Sequence, residues 1–176
     1  MTLTTAERAC ALPFVIALLF ALAPGQAASE SHPPSPPASA RPPQAESPKP
    51  SVPAASLIEP EDLARILGSR SAEKPLVFQI GFRFLYKEAH IPGAEYLGPS
   101  SKEEGLKQLR ERVAKLPRGK FIVLYCGCCP WIRCPNVKPA YDALRDMGFT
   151  QVKVLRLNEN FGTDWAAKGY TVAHGE

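Results

Sequence analysis

The sequence predicts an α/β domain, a parallel sheet with helices on both faces. Short apolar runs rich in β-branched and aromatic residues, such as residues 76–80 and 121–125, are typical of buried strands. Between them lie segments in which apolar residues recur every three or four positions, as in residues 136–147, which indicates amphipathic helices. Strands that alternate with helices favour parallel pairing through helical crossovers. With 176 residues, the chain has room for one such domain and for further segments.

The predicted elements follow one another from residue 60 to residue 168. They are a helix at 60–68, a strand at 76–80, a short helix within 81–89, a strand at 96–97, a helix at 103–116, a strand at 121–125, a helix at 136–147, a strand at 152–157 and a helix at 162–168. Acidic Glu61 and Asp62 in the first turn, and Gly68 at the end, support the first helix. Asn136 is the predicted N-cap of helix 136–147, and Gly148 is its predicted stop.

The N-terminal residues 1–27 predict a signal peptide. Arg8 precedes an apolar stretch, and Gly25 and Ala27 occupy the small-residue positions of a signal-peptidase site. The protein is therefore expected to be exported, to the periplasm or another extracytoplasmic space. A signal segment that stays uncleaved would be its membrane attachment. Residues 28–56, dominated by Pro, Ala and Ser, predict a disordered tether, and the globular domain is expected over residues 57–173.

The charge pattern argues against nucleic-acid binding. The formal net charge is +4, and acidic and basic residues are interspersed without a basic run. The sequence also lacks paired carboxylates, a Ser/His/Asp arrangement and a glycine-rich phosphate loop. No nucleic-acid partner and no cofactor are therefore expected.

A short loop after the strand at 121–125 contains four cysteines: Cys126, Cys128, Cys129 and Cys134. Ligands of open α/β sheets bind beyond the carboxyl ends of the strands, where Cys126 is expected. The N-terminus of the following helix lowers the pKa of a nearby thiol and attracts anions. The pattern therefore predicts a thiolate nucleophile that acts on an anionic substrate. An oxidising compartment also favours a disulfide within this loop, whose pairing the sequence leaves open.

Several short motifs resemble those of the rhodanese (sulfurtransferase) family. They are His90-Ile-Pro-Gly-Ala94, Tyr125-Cys126, Gly148-Phe149, and Trp165 followed by Gly169-Tyr170-Thr-Val172. This resemblance implies a central five-stranded parallel sheet and transfer of a sulfane sulfur through a persulfide on Cys126. Thiosulfate-like compounds or polysulfides would donate the sulfur. The implied partners are therefore small sulfur-containing anions or a thiol acceptor, and no protein partner is specified.

The chain departs from the common family pattern at two places. Gln79-Ile80-Gly81 stands where family members commonly carry Asp-Val-Arg, and the loop after Cys126 is longer than usual. The pattern Cys-Gly-Cys-Cys-Pro-Trp-x-x-Cys-Pro-Asn is similar to a distinct exported subgroup. The residues predicted to contact the substrate are Gly127, Cys128, Cys129, Trp131 and Arg133. Arg133, a cation, would bind a sulfonate oxygen, and Cys134 would be a resolving or structural thiol.

The alternative prediction is a non-enzymatic module. Its four thiols would bind a soft metal ion, such as Cu(I) or Zn(II), or form a thiol–disulfide couple. The spacing Cys-x-Cys-Cys-x4-Cys lacks the separated pairs usual for zinc, and no histidine lies near in sequence. No residue is therefore assigned as a metal ligand. The two hypotheses differ at Cys126, since sulfur loading depends on that thiol whereas a metal or redox site depends on all four.

Overall fold

The computed structural model of the protein describes residues 52–70 and 73–176. The strands in this part of the chain are β1 (Leu57–Ile58), β2 (Leu76–Gln79), β3 (Glu95–Tyr96), β4 (Ile122–Tyr125) and β5 (Val152–Leu155). The helices are α1 (Pro60–Gly68), α2 (Arg83–Glu88), α3 (Glu103–Val113), α4 (Val137–Asp146) and α5 (Phe161–Asp164). The five strands form one parallel sheet in the order β1-β5-β4-β2-β3. The predicted α/β class and five-stranded parallel sheet are confirmed.

β4 is the central strand of the sheet because it pairs with both β2 and β5. All of its residues are buried. Ile122 and Leu124 enter one apolar core, whereas Val123 and Tyr125 enter another. A strand that is buried on both faces has no polar positions, which explains the continuous apolar run in the sequence. Cys126 follows directly, and the chain therefore carries it to the carboxyl edge of the sheet.

Helices cover both faces of the sheet. On one face, Leu109 of α3 and Leu144 of α4 are fully buried in the first core. On the other face, Leu63 of α1 and Trp165 after α5 are buried in the second core. Full burial of each such side chain contributes about 1.5–3 kcal/mol to stability. Among the described residues, no helix is long and apolar enough to cross a membrane.

The packed unit begins earlier in the chain than the sequence predicts. Val52 is buried in the first core, and Ser56 Oγ lies 2.8 Å from the hydroxyl of Tyr141 in α4. Residues 52–56, assigned to the tether, therefore belong to the fold. The predicted signal peptide and residues 28–51 of the predicted tether lie outside the described residues. β1 has only two residues, too few to show a periodic pattern in sequence.

Most predicted elements are present, with bounds that differ by a few residues. The predicted helix at 162–168 consists of two pieces, α5 and a separate 3-10 turn at Ala166–Lys168. α4 begins directly after Asn136, as predicted, but the prediction that the Asn136 side chain caps this helix is wrong. That side chain instead contacts Ser101 and Cys126.

Candidate active site

Cys126 lies at the carboxyl end of β4, with 3% of its surface exposed. Its carbonyl oxygen accepts a hydrogen bond from Gln79 Nε2 at 2.8 Å. Gln79 Oε1 in turn accepts a hydrogen bond from the backbone N–H of Gly81 at 3.2 Å. The buried Gln79 side chain therefore joins the ends of β2 and β4. An added Cβ on Gly81 would lie 2.7 Å from Cys126 Sγ, so a side chain at this position would displace that sulfur.

The sulfur of Cys126 is surrounded by hydrogen-bond donors. Cys128 Sγ lies 3.2 Å away, and Asn136 Nδ2 donates a hydrogen bond to Cys126 Sγ at 3.3 Å. The Sγ atoms of Cys126, Cys128 and Cys134 all lie within 4.8 Å of one another, and Cys129 Sγ lies 3.1 Å from Cys128 Sγ. All four cysteines of the described residues are free thiols in the structure. The disulfide expected from the compartment stays a prediction.

These contacts lower the pKa of Cys126 to about 6. The largest cause is a hydrogen bond from the Cys134 thiol, and the N–H and S–H of Cys128 and the amide of Asn136 act in the same direction against the effect of burial. The hydrogen bond to Cys126 and burial raise the pKa of Cys134. Burial and its thiol neighbours raise the pKa of Cys128. The cluster therefore holds one thiolate, at Cys126, and keeps its neighbours protonated as donors.

The alkylation rate of Cys126 is expected to rise with pH, with a midpoint near the pKa of about 6. Only the thiolate reacts, so the rate is low below this pH and reaches its plateau by about pH 7. Cys134→Ala removes the largest donor, and the midpoint should move upward towards the ordinary thiol value of about 8.5. Rates of iodoacetamide modification, assigned to Cys126 by peptide mass spectrometry, provide the measurement.

Cys129→Ala is the control for this experiment. Cys129 lies in the same loop, but its sulfur contacts Cys128 rather than Cys126, and its loss should leave the midpoint nearly unchanged. An unshifted midpoint in Cys134→Ala would show that the thiol of Cys134 does not stabilise the thiolate.

A cavity of about 540 Å³ adjoins Cys126 at this edge of the sheet. Cys126, Gly127 and Cys128 line it, together with residues of α2 and α5. Gly127 has a φ of +86°, and an added Cβ would lie 3.1 Å from Cβ of Phe161, so glycine is required there. The remaining residues around the cavity are Gln79, Phe82, Phe84, Leu85, Glu88, Ala89, Tyr125, Asn160, Phe161, Gly162 and Ala166.

Residues 55–157 match the family model described as the rhodanese-like domain. The chain belongs to the rhodanese-like family. This membership supports a sulfurtransferase-type function in general. No curated protein matches the chain.

Solved structures share the rhodanese-like fold of this chain. The Alr3790 protein of Anabaena sp. is 18% identical with a TM-score of 0.52, and the match covers 67% of this chain and 92% of that chain. The BH2092 protein of Bacillus halodurans is 21% identical with a TM-score of 0.53, over 68% of this chain and 78% of that one. At these low sequence identities, the similarity shows a shared fold and nothing more about function.

The structure of this rhodanese-like domain brings only some of the predicted site residues to the cavity. Gly127 and Cys128 line it beside Cys126, and Cys134 is buried within the thiol cluster. The other three predicted residues, Cys129, Trp131 and Arg133, are not among the residues that line the cavity. Substrate contact by these three residues stays a prediction.

The loop's 3-10 turn, Trp131–Arg133, explains that placement. Trp131 packs partly buried against the first core, and its backbone N–H donates to the carbonyl of Leu157 at 2.9 Å. Arg133, two residues further on, is exposed. The turn is therefore fixed to the fold on its Trp131 side, and the guanidinium of Arg133 is in a solvated position.

Sequence reasoning missed several residues of the site. Asn136 has the sequence context of a helix cap, although its amide contacts the sulfur of Cys126. Phe82, Phe84 and Phe161 line the cavity, but no sequence motif singled them out. Only their position in the chain indicates a binding role, because Phe82 and Phe84 follow the end of β2, and ligands of α/β sheets bind beyond the carboxyl ends of the strands. His90 makes structural contacts, since its Nδ1 lies 2.7 Å from the carbonyl oxygen of Tyr86 and its ring stacks on that of Tyr86 with the centroids 3.9 Å apart.

Proposed function

We propose that this rhodanese-like domain is a sulfurtransferase or sulfane-sulfur carrier that holds the transferred sulfur as a persulfide on Cys126. The observation that carries the proposal is the set of donors around one sulfur, from Cys134, Cys128 and Asn136, which lowers the pKa of Cys126. A lowered pKa supplies the attacking thiolate at neutral pH. The adjoining cavity offers a donor molecule a route to that sulfur.

In the first step of the proposed reaction, the Cys126 thiolate attacks the outer sulfur of a thiosulfonate, thiosulfate or polysulfide. A bond forms between Sγ and that sulfur, while the donor's sulfur–sulfur bond breaks. Its electron pair leaves on a sulfinate, a sulfite or a shorter polysulfide. In the second step, an acceptor thiolate attacks the outer sulfur of the persulfide, and the electron pair returns to Sγ. The cycle needs no external oxidant or reductant.

The donors that stabilise the thiolate are also suited to stabilise the persulfide. The amide of Asn136 and the backbone N–H of Cys128 are fixed in place by the loop and by the start of α4. Donors held in this way need no reorganisation when the charge moves from Sγ to the added sulfur. The positive end of the α4 dipole, next to Asn136, favours the same charge.

The test is the intact mass of the reduced protein before and after exposure to a sulfur donor. We expect a gain of one sulfur atom from a thiosulfonate or polysulfide, and its loss when cyanide or a thiol is added as acceptor. Thiol titration beforehand confirms that the cysteines are reduced. The proposal is overturned if thiosulfate, thiosulfonates and polysulfide all leave the mass of the reduced protein unchanged.

We also propose that this chemistry takes place outside the cytoplasm, because residues 1–27 have the pattern of a signal peptide. Small sulfur-containing anions and exported thiols would then be its partners. Fractionation of cells that express the full chain is the measurement, and recovery of the protein in the cytoplasmic fraction with its N-terminus intact contradicts this location.

A second candidate function is the binding of a soft metal ion. The Sγ atoms of Cys126, Cys128 and Cys134 lie within 4.8 Å of one another, and thiolates that bind at about 2.3 Å suit Cu(I) or Zn(II). Such a site would need all three sulfurs, so Cys134→Ser should weaken it strongly. Titration with Cu(I) against a chromophoric chelator tests this function, and equal affinity in the wild type and Cys134→Ser contradicts it.

A further inference from the structure

The cavity beside Cys126 is larger than an inorganic sulfur anion requires. Its volume of about 540 Å³ falls in the range of about 300–1,000 Å³ that is usual for organic ligands in proteins. Thiosulfate would fill only a small part of this space. The size of the cavity therefore indicates a substrate with an organic body in addition to its reactive sulfur.

The walls of the cavity are mainly apolar and carry exposed aromatic rings. Phe84 is 66% exposed and Phe82 is 44% exposed, and both line the cavity from the side of α2. Phe161, together with Ala166, lines it from the side of α5. Aromatic side chains exposed beside a reactive group mark a binding surface for an apolar group.

The charges around the cavity do not suit a small dianion. Within the described part of the chain, Glu88 is the only charged residue that lines it besides the Cys126 thiolate, so no cation lines the cavity. The two basic residues of α2, Arg83 and Lys87, form ion pairs with Glu176 and do not line the cavity. Arg133 of the cysteine loop does not line it either. A doubly charged anion such as thiosulfate would therefore enter without a cation and close to a carboxylate.

We propose that the sulfur donor is an organic sulfane-sulfur compound with an apolar, aromatic-sized body and at most one negative charge at its sulfur end. This inference rests on the proposed function of Cys126. The body lies against Phe84, and the outer sulfur meets Cys126 Sγ. As that bond forms, the donor's sulfur–sulfur bond breaks, and its electron pair leaves on the apolar sulfinate or thiolate. Phe84 is then a residue that determines donor specificity.

Two thiosulfonates that share one donor group test this inference. Benzenethiosulfonate and methanethiosulfonate differ only in the organic group attached to the sulfonyl sulfur. For each donor, the rate constant for loading Cys126 is divided by the rate constant for its reaction with free cysteine, which corrects for the donor's own reactivity. We expect the normalised constant to be at least about tenfold higher for the benzene compound, because the cavity removes much of the ring's apolar surface from water. Phe84→Ala should remove most of this preference, whereas Ile132→Ala should keep it.

The two variants are matched, since Phe84 and Ile132 are both exposed hydrophobic residues and only Phe84 lines the cavity. Equal normalised constants for the two donors, or a preference that survives Phe84→Ala, overturns the inference while the persulfide chemistry stands. Failure of both donors and of inorganic polysulfide to load the reduced protein instead overturns the proposed function. The two failures are therefore distinguishable.

Discussion

Cys126→Ser is expected to abolish persulfide formation completely. A serine hydroxyl is far less acidic than a thiol and stays un-ionised near neutral pH, and its oxygen cannot carry a sulfane sulfur in place of the thiol. The pKa of Cys128 is raised first by burial, a cause that remains when Cys126 is replaced, so the neighbouring Cys128 thiol should not take over as the nucleophile. Intact mass after treatment with a thiosulfonate should show one added sulfur in the wild type and none in the variant. The loss should be total rather than partial.

Cys129→Ser is the matched control for this variant. Cys129 belongs to the same loop, but it lies outside the trio of sulfurs formed by Cys126, Cys128 and Cys134. We expect Cys129→Ser to load at nearly the wild-type rate. Persistent loading in Cys126→Ser would assign the persulfide to another cysteine. Equal loss of function in all four single variants would favour the metal or redox module over the sulfurtransferase.

The sequence was sufficient to predict the sheet and the position of the Cys126 thiol because both depend on local patterns. The apolar run at 121–125 is a strand buried on both faces, and a buried parallel strand needs no alternation. Cys126 follows that strand, and the carboxyl edge is where α/β sheets bind their ligands. Chain order alone therefore placed the thiol correctly. The sequence does not predict β1, because its two residues are too few to show a pattern of apolar positions.

The surroundings of the thiol could not be predicted because they depend on contacts between distant parts of the chain. Asn136 has the sequence context of a helix cap, but its Oδ1 accepts a hydrogen bond from the backbone N–H of Ser101, 35 residues earlier. Arg133 lies close to Cys126 in sequence, yet the 3-10 turn Trp131–Arg133 leaves it exposed. Phe84 has no distinguishing neighbours in sequence. Its place beside Cys126 depends on the fold, which brings α2 and α5 to one cavity.

Asn136→Asp is expected to slow sulfur loading at pH 7 by at least about 100-fold, through electrostatics rather than loss of the fold. The side chain is fully buried, and its Nδ2 donates to Cys126 Sγ at 3.3 Å. Aspartate retains the oxygen that accepts the bond from Ser101, but it places a carboxylate beside the thiolate. Two unit charges about 3.3 Å apart repel by about 5 kcal/mol at an effective dielectric constant of about 20.

The carboxylate and the thiolate of this variant would therefore share one proton. The carboxylate would keep the hydrogen bond from the backbone N–H of Ser101, whereas the thiolate would lose its amide donor. The proton should therefore reside mainly on Cys126, and loading should recover only as the pH is raised well above 7. Asn158→Asp, at an exposed position, makes the same change in net charge and should load like the wild type. Loading rates across pH, together with melting temperatures, provide the measurement. A wild-type rate at pH 7 in folded Asn136→Asp would show that this amide does not act on the thiolate, and that Cys134 and Cys128 stabilise it alone.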